Sequence, residues 1–230
     1  MTLEAVVFDF DGLVMDSEWA IYEAAGAAFA QHGHALSVEA WATVVGINEG
    51  DDDWWRDLCT AAGVNGFERA VFERAYAGAA EKAARRAAML TLPALPGVEV
   101  LVDSLVAAGV PIGVASSSST GWLESNLDRL GLIRRFGTLV GSDRVGGVGK
   151  PEPDVYLKAC ADLGANAARS VALEDSAHGV TAAKAAGMTA VAVPSRITQH
   201  NDFAHADLVV DSLTHLTADR LASLVERVGR

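Results

Sequence analysis

From residue 93 onward the sequence alternates between strand-like and helix-like periods, and this alternation constrains the fold more than any other feature. "VPIGVAS" (Val110–Ser116), "FGTLVGS", "SVALED" (Ser170–Asp175), "TAVAV" (Thr189–Val193) and "ADLVV" (Ala206–Val210) read as short apolar strands. Helical spacing precedes or follows each of them: Val98–Ala108, the Leu123/Leu127/Leu130 row, Asp154–Leu163, Ala177–Ala186 and a C-terminal stretch. Strands joined through helices must run parallel, so the pattern predicts an α/β fold with a doubly wound parallel sheet. An earlier strand, Ala5–Phe8, is apolar at every position, as expected of a strand covered on both faces. Residues 17–92 then read as helical throughout, with Ser37 as a candidate N-cap and a long Ala-rich helix from Phe67 to Met89. "LPALPGV" (Leu92–Val98) closes that stretch with two prolines and a glycine. The predicted organisation is a core of residues 1–16 and 93–230, interrupted by an all-helical insert over 17–92.

In open parallel sheets, ligands bind outside the carboxyl ends of the strands. The residues at those ends are informative. "AVVFDFDG" puts Asp9 and Asp11 at the mouth of the first strand. Buried carboxylates are costly unless compensated. "VASSSS" ends the next strand with Ser116 and Ser117, "SVALED" ends with Glu174 and Asp175, and "GVGKPEPD" supplies Lys150. Each piece alone is weak, since acids, serines and lone lysines are common in turns and helix caps. "GVGK" is no nucleotide-phosphate loop, because Pro151 follows the lysine and Arg144 stands where that pattern needs glycine. Taken together, crowded carboxylates call for a divalent cation, and oxygen ligands favour Mg²⁺. Lys150 adds compensating charge and can hold a phosphoryl group, and Ser116 can donate to one. One aspartate can act as nucleophile while another, two residues on, carries a proton.

These four stretches, "DFDG", "VASSS", "GKPEPDVY" and "LEDSAHGVTAAKAAGM", resemble in order the haloacid dehalogenase superfamily of phosphohydrolases. The nearest likeness is to its β-phosphoglucomutase-like, sugar-phosphate-phosphatase branch, with a Rossmann-like core and residues 17–92 placed like that family's helical cap. The resemblance implies that Asp9 attacks phosphorus to form an aspartyl-phosphate, and that Asp11 protonates the leaving alcohol and then activates water. It implies that Ser116, Ser117 and Lys150 hold the phosphoryl oxygens. Mg²⁺ would be bound by Asp9, the backbone carbonyl of Asp11, and Asp175, with Glu174 in support through water. The implied activity is a Mg²⁺-dependent phosphatase acting on a small phosphorylated metabolite, a sugar or polyol phosphate.

Three alternatives are weighed against it. Dehalogenases of this superfamily lack the second aspartate, which Asp11 supplies here. The branch's phosphosugar mutases carry a histidine where this chain has Ile21, and a cap arginine near which this chain has Glu49; both departures favour water as the acceptor. A phospho-acceptor module without turnover, like a receiver domain, would lack the paired acid and the helical insert. In the insert, Trp19 is a candidate substrate contact, while Asp51–Asp53 read as a helix start and at least one of Trp54 and Trp55 as insert core. Arg85, Arg86 and His178 read as helix-surface residues.

The net charge of −12 argues against nucleic acid or an anionic membrane as partner. Cys59 and Cys160 form neither a disulfide framework nor a zinc pair, and "MTLEAVV" has no basic leader region. A cytoplasmic protein is expected, with a monomer as the default.

Overall fold

The computed structural model describes residues 2–47, 52–76 and 89–228. Strand β1 (Ala5–Phe8) is followed by helices α1 (Ser17–Gln31), α2 (Val38–Ala42), α3 (Asp52–Ala61) and α4 (Arg69–Tyr76). After residue 93 come α5 (Val98–Ala107), β2 (Ile112–Ala115), α6 (Thr120–Arg129), β3 (Thr138–Val140), α7 (Asp154–Asp162) and β4 (Ser170–Glu174). The chain continues through α8 (Ala177–Ala185), β5 (Thr189–Ala192), β6 (Leu208–Val209) and α9 (Ala218–Val228). The sheet is parallel in the order β3-β2-β1-β4-β5-β6, so the strand order reverses at β1.

Alternate strand residues feed two different layers. Val6 and Phe8 of β1, with Ile112, Val114, Val171, Leu173 and Val191, join the large side chains of α5, α6 and α9. Val7, with Ala115, Ala172, Ala190 and Ala192, meets α7 and α8. The second face is built largely from alanine, which lets α8, with Ala182 and Ala183 buried against it, lie close to the strands.

The segments entering and leaving the helical insert run side by side. Leu95 N–H donates to the Val14 carbonyl at 2.9 Å, and Met15 bridges to Ala94. Within the insert, Phe29 of α1 contacts Phe67 and Phe72 edge-on at 5.2 and 5.6 Å, and Trp55 stacks on Phe72 at 4.9 Å. Ser37 caps α2 by accepting from Ala40 N–H at 3.1 Å.

Several sequence boundaries shift. The predicted strands Val110–Ser116 and Ala206–Val210 shorten to Ile112–Ala115 and Leu208–Val209. The predicted Phe67–Met89 helix begins at Arg69 and is followed to Tyr76. Its remainder over 77–88, with Arg85 and Arg86, lies outside the described residues, as do Glu49 and Asp51. Among the described residues, no helix is long and apolar enough to cross a membrane.

Candidate active site

The sheet register aligns the strand ends. Phe8 pairs with Val114 on one side and with Leu173 on the other. Asp9, Ser116 and the Glu174–Asp175 pair therefore emerge at nearly the same level, at the point where the strand order reverses. Lys150, from the loop before α7, reaches into this group. Its ammonium donates to Asp9 Oδ1 and, at 2.5 Å, to Glu174 Oε1. Tyr156, in the first turn of α7 and fully buried, donates its hydroxyl to the same Glu174 oxygen.

The electrostatics follow from burial. Asp9, Glu174 and Asp175 each offer an oxygen within 4.8 Å of the others, and all three are buried. With Lys150 as the cation paired to them, the fully ionised cluster would keep two uncompensated negative charges. Burial accordingly pushes Asp9 up to about 8, against the opposing pull of Lys150 and with added repulsion from Glu174. Asp175 is raised well above the ordinary carboxylate range, first by burial and then by Asp9, Glu174 and Glu18. Burial alone would lower Lys150, but Asp9 and Glu174 outweigh it and hold the ammonium charged.

These residues fit a hard divalent cation. Asp175 Oδ2 is buried with no hydrogen-bond partner, and Thr198 Oγ1 anchors the Asp175 carbonyl at 2.6 Å. Gly12 leaves the space in front of that oxygen open: a Cβ there would lie 2.1 Å from Oδ2. An oxygen-only donor set carrying two surplus negative charges suits a hard divalent metal ion.

Asp11 stands apart from this cluster. Its Oδ1 accepts from Ser17 Oγ at 2.6 Å and Trp122 Nε1 at 3.0 Å, and its Oδ2 accepts from Ser118 Oγ at 2.7 Å. Asp9, Asp11, Ser116, Ser117, Ser118 and Lys150 line one cavity of about 250 Å³, together with Glu18, Ile21, Gly46 and Ile47 from the insert side. Ser116 is buried and its Oγ accepts from Ser118 N–H at 3.0 Å. Ser117, expected to hold phosphoryl oxygens, spends its hydroxyl differently. It donates to the Gly46 carbonyl at 2.9 Å and accepts from Lys150 N–H at 3.1 Å.

Trp19 lies outside the cavity lining. Its indole sits beneath the Arg196 guanidinium at 3.8 Å and donates to Glu23 at 2.8 Å, while Arg196 also pairs with Asp16 at 2.9 Å. Trp54 is buried, and both it and Trp55 belong to the insert's aromatic cluster. His178 does not merely sit on a helix surface; its Nε2 lies 3.0 Å from the Thr43 carbonyl across the insert boundary. Ser118, Trp122 and Tyr156 have site contacts that the sequence did not single out. Position within a helix gives no sign of which side chain will reach a carboxylate contributed by a distant strand.

The family model for the haloacid dehalogenase-like hydrolases matches residues 6–193. The chain is 34% identical to "Putative phosphatase YhcW" of Bacillus subtilis, over 99% of this chain and 98% of that one. It is 39% identical to hexitol phosphatase B of Escherichia coli over 57% of this chain and 59% of the relative. The structure of β-phosphoglucomutase from Clostridium difficile superposes with a TM-score of 0.79 at 22% identity, covering 99% of this chain and 100% of that one, which speaks to the fold. The six-stranded parallel sheet, the acidic cluster at its switch point and the match over residues 6–193 agree: the chain belongs to the haloacid dehalogenase-like hydrolase family.

Proposed function

We propose that the protein is a Mg²⁺-dependent phosphatase of a small phosphorylated metabolite, a sugar or polyol monophosphate, working through an aspartyl-phosphate on Asp9. The observation that carries this reading is the placing of Asp9: buried, paired with Lys150, and facing the same cavity as Asp11 and Ser116. Residues 17–92 act as the cap over that cavity, with Ile21 and Ile47 facing the part of the substrate that leaves. The name of the hexitol phosphatase relative supports a polyol or sugar substrate.

Asp9 supplies an oxygen that forms a bond to phosphorus as the bond from phosphorus to the alcohol oxygen breaks. Asp11 gives its proton to that leaving oxygen, and later takes a proton from the water that displaces Asp9. Ser116 and Lys150 hold phosphoryl oxygens during both transfers, and Lys150 also keeps Asp9 in place. Asp9, Asp175 and the Asp11 carbonyl would hold Mg²⁺, with Glu174 beside them, and the ion would supply charge neutralisation for the phosphoryl group.

The nature of Ile21 favours hydrolysis over phosphoryl transfer to a second sugar hydroxyl, since it lines the cavity and carries no proton. Phosphate release, followed over a panel of sugar, polyol and nucleotide monophosphates, tests the proposal. Release should require Mg²⁺, stop in chelator, and fall by more than about 10³-fold in Asp9→Asn. Conversion of β-glucose 1-phosphate to glucose 6-phosphate with little free phosphate would overturn it in favour of a mutase. Phosphorylation of Asp9 without release would overturn it in favour of a non-turnover module.

A further inference from the structure

Asp11 is held by three donors, and they are chemically unequal. Two of them, Ser17 and Ser118, are hydroxyls that can rotate to donate or accept. Ser17 Oγ also has a second acceptor, the Met15 carbonyl at 3.4 Å. The third, Trp122, presents an indole N–H that can only donate. A donor that cannot turn into an acceptor fixes the oxygen it meets more firmly than a hydroxyl does.

We propose that Trp122 is a positioning residue: its indole N–H, bonded to Asp11 Oδ1, fixes the orientation of the carboxyl group that serves as proton donor to the leaving oxygen. The surroundings of Trp122 suit this role. Ser119 caps α6 by accepting from Trp122 N–H, Asn126 Nδ2 donates to the Trp122 carbonyl at 2.9 Å, and the indole packs partly buried against the main core cluster. A rigid donor on a core helix therefore fixes the plane of a carboxylate that stands at the start of the insert. Oδ2 meets only the rotatable Ser118 hydroxyl among the described residues, so the Trp122 bond is the one that sets the carboxyl group's orientation.

This inference rests on the phosphatase reading, and the test separates the two. The first-turnover release of phenol from phenyl phosphate and of nitrophenol from p-nitrophenyl phosphate is measured in Mg²⁺, for the wild-type protein and Trp122→Phe. Nitrophenolate leaves without a proton, whereas phenolate benefits from one. Trp122→Phe should slow the first turnover of phenyl phosphate about tenfold, as misplacement of a proton donor does, and that of p-nitrophenyl phosphate less than about twofold. Because water activation still needs Asp11, p-nitrophenyl phosphate should then show a burst of one nitrophenolate per enzyme. A second variant guards against loss of packing: benzothienylalanine placed at 122 keeps the bicyclic shape and lacks the N–H, and should give the same split. Equal slowing of both substrates, or no slowing of either, overturns the inference. A wild-type protein that releases phosphate neither from these substrates nor from any sugar, polyol or nucleotide monophosphate overturns the phosphatase reading instead.

Discussion

Gly12 shows how tightly a single residue is bound to the site. Its φ of +87° lies where side chains are strained, and a Cβ would meet the Asp175 carboxylate at 2.1 Å. Gly12→Ala is expected to weaken Mg²⁺ binding at least about tenfold, by displacing a buried carboxylate oxygen that has no partner among the described residues, and to lower stability by about 1–2 kcal/mol of backbone strain. Calorimetric Mg²⁺ titration and urea unfolding check both; unchanged affinity would mean that Asp175 Oδ2 does not face the ion. The legibility of individual residues follows the same logic. Asp9, Glu174 and Asp175 stand out in the sequence because charge follows directly on an apolar strand. Trp122 and Tyr156 do not, because each lies on an amphipathic helix where an aromatic residue ordinarily means packing. Ser117 looked like one of several equivalent serines; only the structure separates its bonds to Gly46 and Lys150 from the position of Ser116.

Elements were legible where local chemistry decides them. Strand β1 spans the predicted Ala5–Phe8, α1 begins at the predicted Ser17, and Ser37 caps α2. Strand ends were less legible, because pairing with neighbours sets them: among the described residues β6 pairs only with β5, and it keeps two residues. Ser37→Ala is expected to cost about 1 kcal/mol, through loss of the acceptor for Ala40 N–H, read as a lower urea midpoint with an unchanged slope. Since α2 adjoins the carbonyls that dock the insert, a midpoint that does not move would show that the insert unfolds independently of the cap hydrogen bond.

At the scale of the whole molecule, the sequence's alternation of strands and helices specified the parallel sheet, because intervening helices leave few other topologies. Which insert residues would touch the core was not legible, since those contacts join segments far apart in the chain. The cost of the buried acidic cluster should be visible in global stability. Asp9 has a pKa of about 8 in the folded protein and about 3.8 when unfolded, so between those values the folded state binds the extra proton. In chelator, stability should therefore fall as pH rises from 6 to 8, with Asp175 shifting in the same direction. Mg²⁺ should raise the melting temperature more at pH 8 than at pH 6, because at the lower pH it must displace protons. Melting curves at the two pH values, with and without Mg²⁺, check this; a higher melting temperature at pH 8 in chelator would contradict it. The docking of the insert has a different consequence. Ser117, His178 and Asn201 of the core reach to the carbonyls of Gly46, Thr43 and Ala42. On the insert side these bonds use only main chain, which every amino acid possesses. Away from Gly46, where a Cβ would lie 2.5 Å from Ser176 Oγ, the insert's side chains can therefore diverge without undoing these three docking bonds, so that the wall it presents to the cavity can be redrawn while its seat on the core stays the same.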